Sequence, residues 1–240
     1  MKVYKYHANG NSFLLFYQLK KELDWKKLCD IHEGMGADGV LLLYKKKEYY
    51  ELKIINADGS KANMCGNGLR IVGLFLRERC KTSPFYETIR VGDLWTHVFS
   101  LEQEIAVEVP YPSFCKTIGE WNLYDIGNLH LIKKVDVLSE KYLIEFAQNH
   151  PSYNCTVYQI VREGQLKILT YERGVGITLS CGSASLATFL DYKKDAPWVE
   201  EVVFLSRGGI YIVKEQQDHL CLIGTPKKVW KGEWIDDERD

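Results

Sequence analysis

"NMCGNGLRIVGLFL" (residues 63–76) sets a cysteine directly before a tight Gly-Asn-Gly and a strongly apolar stretch. Leu69, Ile71, Val72, Leu74, Phe75 and Leu76 occupy nearly every face of a helix running from Gly68 to about Arg79. A helix that is apolar all round belongs inside a domain. The same arrangement returns in "LSCGSASLATFL" (179–190), where Ser183 to Tyr192 reads as the matching buried helix. Cys65 and Cys181 lie at an offset of 116 residues (65 to 181), and other landmarks keep that spacing to within one residue. Asn56 and Glu172 each stand nine residues before their cysteine. Asp38 and Asn154 each precede an apolar run, and Gly10-Asn11 returns as Gly127-Asn128. Four landmarks in one order imply two copies of a domain-sized unit.

Each half reads as β-strands around one helix. "VYKY", "SFLLFY", "VLLLY" and "YELKIIN" are short β-rich runs punctuated by Gly, Asn and Asp, followed by "HLIKKV", "TVYQIV", "LKILTYE", "EVVFLS", "GIYIVK" and "HLCLIG" in the second half. Amphipathic helices are expected near Trp25–Glu33 and Ser139–His150. The expected fold is α/β, two pseudo-symmetric domains that each wrap a sheet around a central buried helix, with the active site in the cleft between them. The prolines of "VPYPSF" place the boundary near residue 112, giving halves of 1–112 and 113–226.

Composition narrows the function. The chain has 240 residues, 46% of them hydrophobic and 26% charged, as in an ordinary globular protein. A net charge of -1 provides no basic footprint for nucleic acid. No apolar run reaches the roughly 20 residues of a membrane span, and the start "MKVYKYHANGNSF" does not read as a signal peptide. Seven scattered cysteines without a C-x-x-C pair argue for reduced thiols in the cytoplasm, with neither a disulfide framework nor a metal site.

Two thiols at helix mouths have a chemical reading. A helix N-terminus offers unpaired N–H groups and about half a positive charge, which favour a thiolate and can also hold a carboxylate. Glycines at 66 and 182 let a ligand approach the backbone. Two such units facing each other would set a thiol on either side of one carbon. Inverting a stereocentre needs that arrangement, because one group removes a proton from one face while the other delivers one to the opposite face. Donors around the carboxylate would stabilise the enolate-like charge that develops.

Several stretches resemble the signatures of the diaminopimelate epimerases. "HANGNSF", "GMGADGVLLL", "NADGSKANMCGNG", "GNLHLI" and "YERGVGITLSCGSAS" are similar to that family's motifs in its order, and "VWKGEWI" resembles its closing strand, so that the tail 227–240 completes the first half. The resemblance implies an isomerase that interconverts LL- and meso-2,6-diaminopimelate without a cofactor, in lysine and peptidoglycan precursor synthesis. It implies a homodimer as well. Cys65 and Cys181 match the catalytic cysteines, and His130 and Glu172 match positions that help ionise them. The backbone of Gly66, Asn67, Gly182 and Ser183 would hold the carboxylate at the reacting centre. Asn11, Asn56, Asn128, Asn154 and Arg173 match side-chain contacts, of which Asn56, Asn154 and Arg173 would grip the distal carboxylate. Arginine suits that role because its planar fork binds a carboxylate through two hydrogen bonds.

The chain also departs from the pattern. Ala8, Asn9 and Ser12 replace the usual residues around Asn11, Leu129 stands in place of proline, Ile177 in place of glutamate, and Ala184 in place of glycine. These changes bear on amino-group recognition near Asn11 and Asn128 more than on proton transfer. Alternative functions are a related cofactor-independent racemase of the proline or histidine type, and a redox-sensitive amino acid binding protein. No recognisable lysine motif for pyridoxal phosphate is present.

Overall fold

The computed structural model describes residues 1–80 and 84–235. The elements run β1 (Lys2–Ala8), β2 (Asn11–Tyr17), α1 (Trp25–Cys29), β3 (Gly39–Lys45), β4 (Tyr50–Asn56), β5 (Lys61–Ala62), α2 (Gly66–Arg79), β6 (Tyr86–Val91), β7 (Leu94–Leu101) and β8 (Glu104–Val109). They continue with β9 (Ser113–Ile118), β10 (Trp121–Asp125), β11 (Leu129–Lys134), α3 (Glu140–Gln148), β12 (Asn154–Arg162), β13 (Gln165–Glu172) and β14 (Gly176–Thr178). The last are α4 (Gly182–Lys193), β15 (Glu201–Ser206), β16 (Gly209–Gln216), β17 (His219–Gly224) and β18 (Lys227–Glu233). The chain divides into two compact units, Met1–Ile105 with the segment from Pro226 onward, and Ala106–Thr225. The passage from one to the other lies inside β8. Residues 236–240 of the expected tail lie outside the described residues.

In the first unit, neighbouring strands follow the order β7-β6-β4-β3-β2-β1-β18. The pairs β4/β6 and β2/β3 are parallel and the rest antiparallel. Both faces of the parallel pair are covered, which is why "SFLLFY" and "GVLLLY" are almost continuously apolar. Leu14, Phe16, Val40 and Leu42 turn toward one face, where Leu28 and Cys29 of α1 complete a cluster. Leu15, Leu41 and Leu43 alternate to the opposite face, and the start of α2 at Gly68 lies against Leu41. Helix α2 packs on β1, β3 and β7, strands far apart in the sheet order. The sheet therefore wraps around the helix, and every residue from Gly66 to Leu76 is buried.

The second unit repeats the plan. Its strands follow β16-β15-β13-β12-β11-β10-β9, with β17 pairing onto β16. The parallel pairs β13/β15 and β11/β12 fall at the same places as β4/β6 and β2/β3. Helix α4 lies against β10, β11, β12, β16 and β17. Helix α3 covers the outer cluster of Trp121, Leu123, Leu131, Cys155, Val157 and Leu169, as α1 does in the first unit. The architecture is mixed α/β, and each unit encloses one buried helix as the sequence led us to expect.

Local chemistry explains where the helices differ from expectation. The helix expected to reach Glu33 stops at Cys29, because Asp30 folds a turn with its side chain accepting from the His32 and Glu33 amides. Helix α2 begins two residues earlier than its apolar pattern, since Cys65 itself is the N-cap. Helix α4 begins at Gly182 for the same reason. Ser139 caps α3 by accepting from the Tyr142 amide.

The sheet closes on α2 at Gly73, where a Cβ would meet Ile105 Cγ2 at 2.5 Å. Gly73→Ala should therefore destabilise the protein by about 1–3 kcal/mol through overpacking, despite alanine's helix propensity, which is better by about 1 kcal/mol. Urea denaturation compared with the wild type measures it, and unchanged or increased stability would contradict the close approach.

Candidate functional site

Each unit presents one cysteine at the mouth of its buried helix, and the two surroundings are built differently. In the first unit the Cys65 Sγ is half-buried and accepts from the Gly68 amide at 3.3 Å. Gly68 has Leu41 at 3.0 Å from where a Cβ would stand, so the residue must be small for thiol and helix to meet the sheet this way. Asn67 is buried on the same first turn. Arg70, fully buried one turn further in, donates to Asn67 Oδ1. A guanidinium only donates, so the Asn67 amide is oriented with Nδ2 outward, and it donates to Asn11 Oδ1 at 3.4 Å. That leaves the Asn11 amide nitrogen facing away from this chain of bonds. Asn11 is held there by a two-residue hairpin turn, in which Asn9 (φ 50°) and Gly10 (φ 82°) both take the left-handed conformation.

Asn56 ends β4 and donates to Ser60 Oγ at 2.9 Å across the turn into β5. Asp38 ties the loop before β3 to the hairpin by accepting from Ser12 N at 2.6 Å and Ser12 Oγ at 2.9 Å. Arg70 and the Asp38–Ser12 latch were not singled out from the sequence. A charged residue inside an apolar helix signalled the first, whereas the second joins residues 26 apart and has no local signature.

In the second unit Cys181 is 7% exposed, and its Sγ meets Ser183 Oγ at 3.3 Å. Its thiol is held well above the ordinary cysteine range by burial and then by the Glu172 carboxylate, with the Ser183 hydroxyl and the Ala184 amide pulling the other way. Glu172 itself is raised by burial, with the Thr178 hydroxyl and the Cys181 thiol opposing that shift. Thr178 is a third residue the sequence reading passed over. Arg173 follows Glu172 in an exposed turn closed by the Val175 amide on the Glu172 carbonyl. Asn154 is buried at the start of β12, accepts from the Arg173 amide at 2.9 Å and donates to the Leu129 carbonyl at 3.3 Å. It thus fixes the backbone that carries Arg173 and keeps one amide hydrogen and one lone pair for a ligand.

His130 sits beside Asn154 in the parallel register of β11 and β12 and is fully buried. Its Nε2 meets Asn128 Oδ1 at 3.1 Å. An amide oxygen only accepts, so the proton lies on Nε2, and Nδ1 keeps its lone pair in a buried position with no hydrogen-bond partner. Burial lowers the His130 pKa to about 3. Gly182 and Ser183 form the first turn of α4, as Gly66 and Asn67 do in α2.

Three of the other five cysteines have structural surroundings. Cys29, Cys155 and Cys221 are buried, with thiols pushed up to about 11, 12 and 12 by burial. Two surface cavities of the second unit, about 310 Å³ beside Asp191 and about 380 Å³ beside Arg207, contain none of the residues above. Among the described residues no cluster of three or more His, Cys, Asp or Glu could hold a metal ion. No helix there is long and apolar enough to cross a membrane.

Residues 3–113 match the family model described as diaminopimelate epimerase. The diaminopimelate epimerase of Campylobacter lari is 35% identical over 205 residues, covering 79% of this chain and 80% of that one. The one from a Nitratiruptor species is 31% identical over 244 residues, covering 96% and 97%. Among solved structures, the PhzF-family phenazine biosynthesis protein of Bacillus anthracis superposes with a TM-score of 0.75 at 14% identity, covering 98% and 99% of the two chains. At that identity the likeness shows the fold alone.

Two measurements test the surroundings described here. Iodoacetamide at neutral pH should modify exposed Cys115 first, then half-buried Cys65 and Cys80, leaving the buried Cys181, Cys29, Cys155 and Cys221 intact until unfolding. Peptide mass spectrometry reads the order, and Cys181 reacting ahead of Cys65 would contradict it. A neutral buried His130 binds no proton until about pH 3, whereas the unfolded chain binds one near pH 6.5. Stability from this group is therefore complete above about pH 6.5 and is lost as pH falls toward 3, at up to about 1.4 kcal/mol per pH unit. His130→Gln should flatten that part of the stability–pH curve, and an unchanged slope would show that His130 titrates in the folded protein.

Proposed function

The chain belongs to the diaminopimelate epimerase family and is an isomerase, and from that premise we propose that it interconverts LL- and meso-2,6-diaminopimelate by a two-base thiolate/thiol reaction that needs no cofactor. One observation carries the reading. Two units with the same strand connectivity each place a cysteine as N-cap of a fully enclosed helix, at positions 116 residues apart (65 to 181).

The chemistry assigns each residue a task. One thiolate removes the α-proton from its face of the carbon, and the opposite thiol delivers its own proton to the other face. The product leaves with inverted configuration, and thiol and thiolate have exchanged places. The reverse reaction begins from that exchanged state, so a pair of identical groups serves both directions. The first-turn backbone N–H groups of Gly66 and Asn67, and of Gly182 and Ser183, would hold the α-carboxylate as it takes up negative charge on proton removal. Asn11 and Asn128 would orient the amino acid group, while Asn56, Asn154 and Arg173 would fix the distal carboxylate.

Cys181 starts as the protonated partner, because burial and Glu172 both disfavour its thiolate. When it must act as base, the neighbouring Glu172 carboxylate would take its proton. His130, at a position that family resemblance links to thiol ionisation, keeps a bare Nδ1 while its Nε2 bonds Asn128. The reaction requires reduced thiols, consistent with a cytoplasmic enzyme supplying lysine and peptidoglycan precursors.

Incubation with LL-diaminopimelate in D₂O under reducing conditions should place deuterium at the α-carbon and yield the meso isomer. Cys65→Ala and Cys181→Ala should each abolish epimerisation, and Glu172→Gln should lower kcat by about 10²-fold or more. Deuterium exchange with proline or histidine but not with diaminopimelate would move the substrate assignment. A single cysteine variant with near wild-type turnover would end the two-base scheme.

A further inference from the structure

Behind Cys181 lies a buried chain of hydroxyls with no role in the reaction as described. Ser185, one turn into α4 and fully buried, bonds the Cys181 carbonyl twice, through its amide at 3.2 Å and its Oγ at 2.9 Å. Tyr211 on β16 is buried, stacks on Phe204, and has its hydroxyl 2.5 Å from Ser185 Oγ. The direction of the chain is fixed by chemistry. A carbonyl can only accept, so the single hydroxyl proton of Ser185 goes to the Cys181 carbonyl. The bond between the two hydroxyls must then be donated by Tyr211.

The Cys181 carbonyl belongs to the same peptide group as the Gly182 amide. Donation to the oxygen of a peptide polarises the whole group and makes its N–H a stronger donor, because linked hydrogen bonds reinforce one another in a buried setting. We propose that Tyr211 and Ser185 are positioning residues which orient and polarise the Cys181–Gly182 peptide, strengthening the Gly182 N–H toward the anionic oxygen of the substrate. The inference rests on the proposed epimerase reading for the identity of that anion. The relay belongs to one half only, since the position equivalent to Ser185 in α2 is Leu69, which has no hydroxyl. There the Cys65 carbonyl receives the Leu69 amide at 2.9 Å.

The consequence is kinetic. A substrate carboxylate carries less negative charge at each oxygen than the enediolate-like transition state, so a stronger N–H acts more on kcat than on KM. Tyr211→Phe removes one hydroxyl without changing the ring, and Ser185→Ala removes the other. Each should lower kcat about tenfold with KM within about twofold of wild type. The double variant should be no slower than the slower single one, because the two groups act as one chain. In ¹⁵N–¹H spectra of the ligand-free protein, the Gly182 amide proton should move upfield in Tyr211→Phe, while the Gly66 amide should stay in place.

The spectral and kinetic arms separate the two ideas. If the wild-type protein exchanges no α-proton of diaminopimelate, the epimerase reading fails, and the Gly182 shift still decides whether the relay exists. If wild type epimerises while the variants keep its kcat, or their losses simply add, or the Gly182 resonance does not move, the relay is overturned. Should Tyr211→Phe fail to fold, Ser185→Ala serves in both arms.

Discussion

Everything in each unit depends on a helix with no face turned to water. Residues Gly66 to Leu76 are buried throughout, as is nearly all of α4. Such a helix cannot be stabilised by an amphipathic stripe, so it requires strands on all sides. The contacts of α2 with β1, β3 and β7 meet that requirement within one unit, as those of α4 with β10, β12 and β16 do in the other. Enclosure has an electrostatic side as well. The first N–H groups of a buried helix have no internal acceptor, and a terminus shielded from water concentrates its partial positive charge on whatever polar group stands before it. In both units that group is a cysteine. The fold thus creates the anion-favouring position before any chemistry is asked of it.

Equal architecture does not produce equal thiols. Gly68 allows Cys65 to sit on a helix amide as a true cap, with its thiol partly exposed. At the equivalent place Ala184 carries a methyl group, and Cys181 is enclosed beside Glu172, where its neutral form prevails. In the proposed two-base reaction, which needs one ionised and one protonated partner, this difference would be useful, because two identical surroundings would have to divide one proton by chance. The carboxylate at Cys181 and the neutral imidazole of His130 are also unlike bases. Burial raises the Glu172 carboxylate and lowers the His130 imidazole to about 3, so the carboxylate is the stronger base of the two.

Much of this was legible in the chain, for identifiable reasons. The 116-residue offset, the two apolar helices and the runs "SFLLFY" and "VLLLY" are dense signals, because fully buried elements leave little room for polar residues. Strands β5 to β10 and β14 have no clear signal in the sequence. "YETIRV" and "LWTHVFSL" mix exposed aromatics such as Tyr86 and Trp95 with polar residues, and pairing of β6 with β4 and of β7 with β6 makes them strands. Asp30 ended α1 early because an Asx turn competes with the helix over the same amides. At the candidate site the cysteines, glycines and Glu172 could be named from motif and position. Arg70, Thr178, Ser185 and Tyr211 could not, because their meaning lies in which atoms they reach across the sheet.

The supporting residues share one logic. Arg70 can only donate, so it settles the orientation of the Asn67 amide and, through it, that of Asn11. Asn154 settles the backbone at Arg173 by accepting its amide. Ser185 has one proton to give and spends it on the Cys181 carbonyl. In each case a buried group with a restricted repertoire of donors and acceptors leaves its neighbour a single choice. Reaction geometry needs to be held to a fraction of an ångström, and mobile surface side chains cannot supply that. Restriction of choice by buried one-way groups can, and it explains why polar residues persist in the interior of helices that are otherwise built from leucine, isoleucine and phenylalanine.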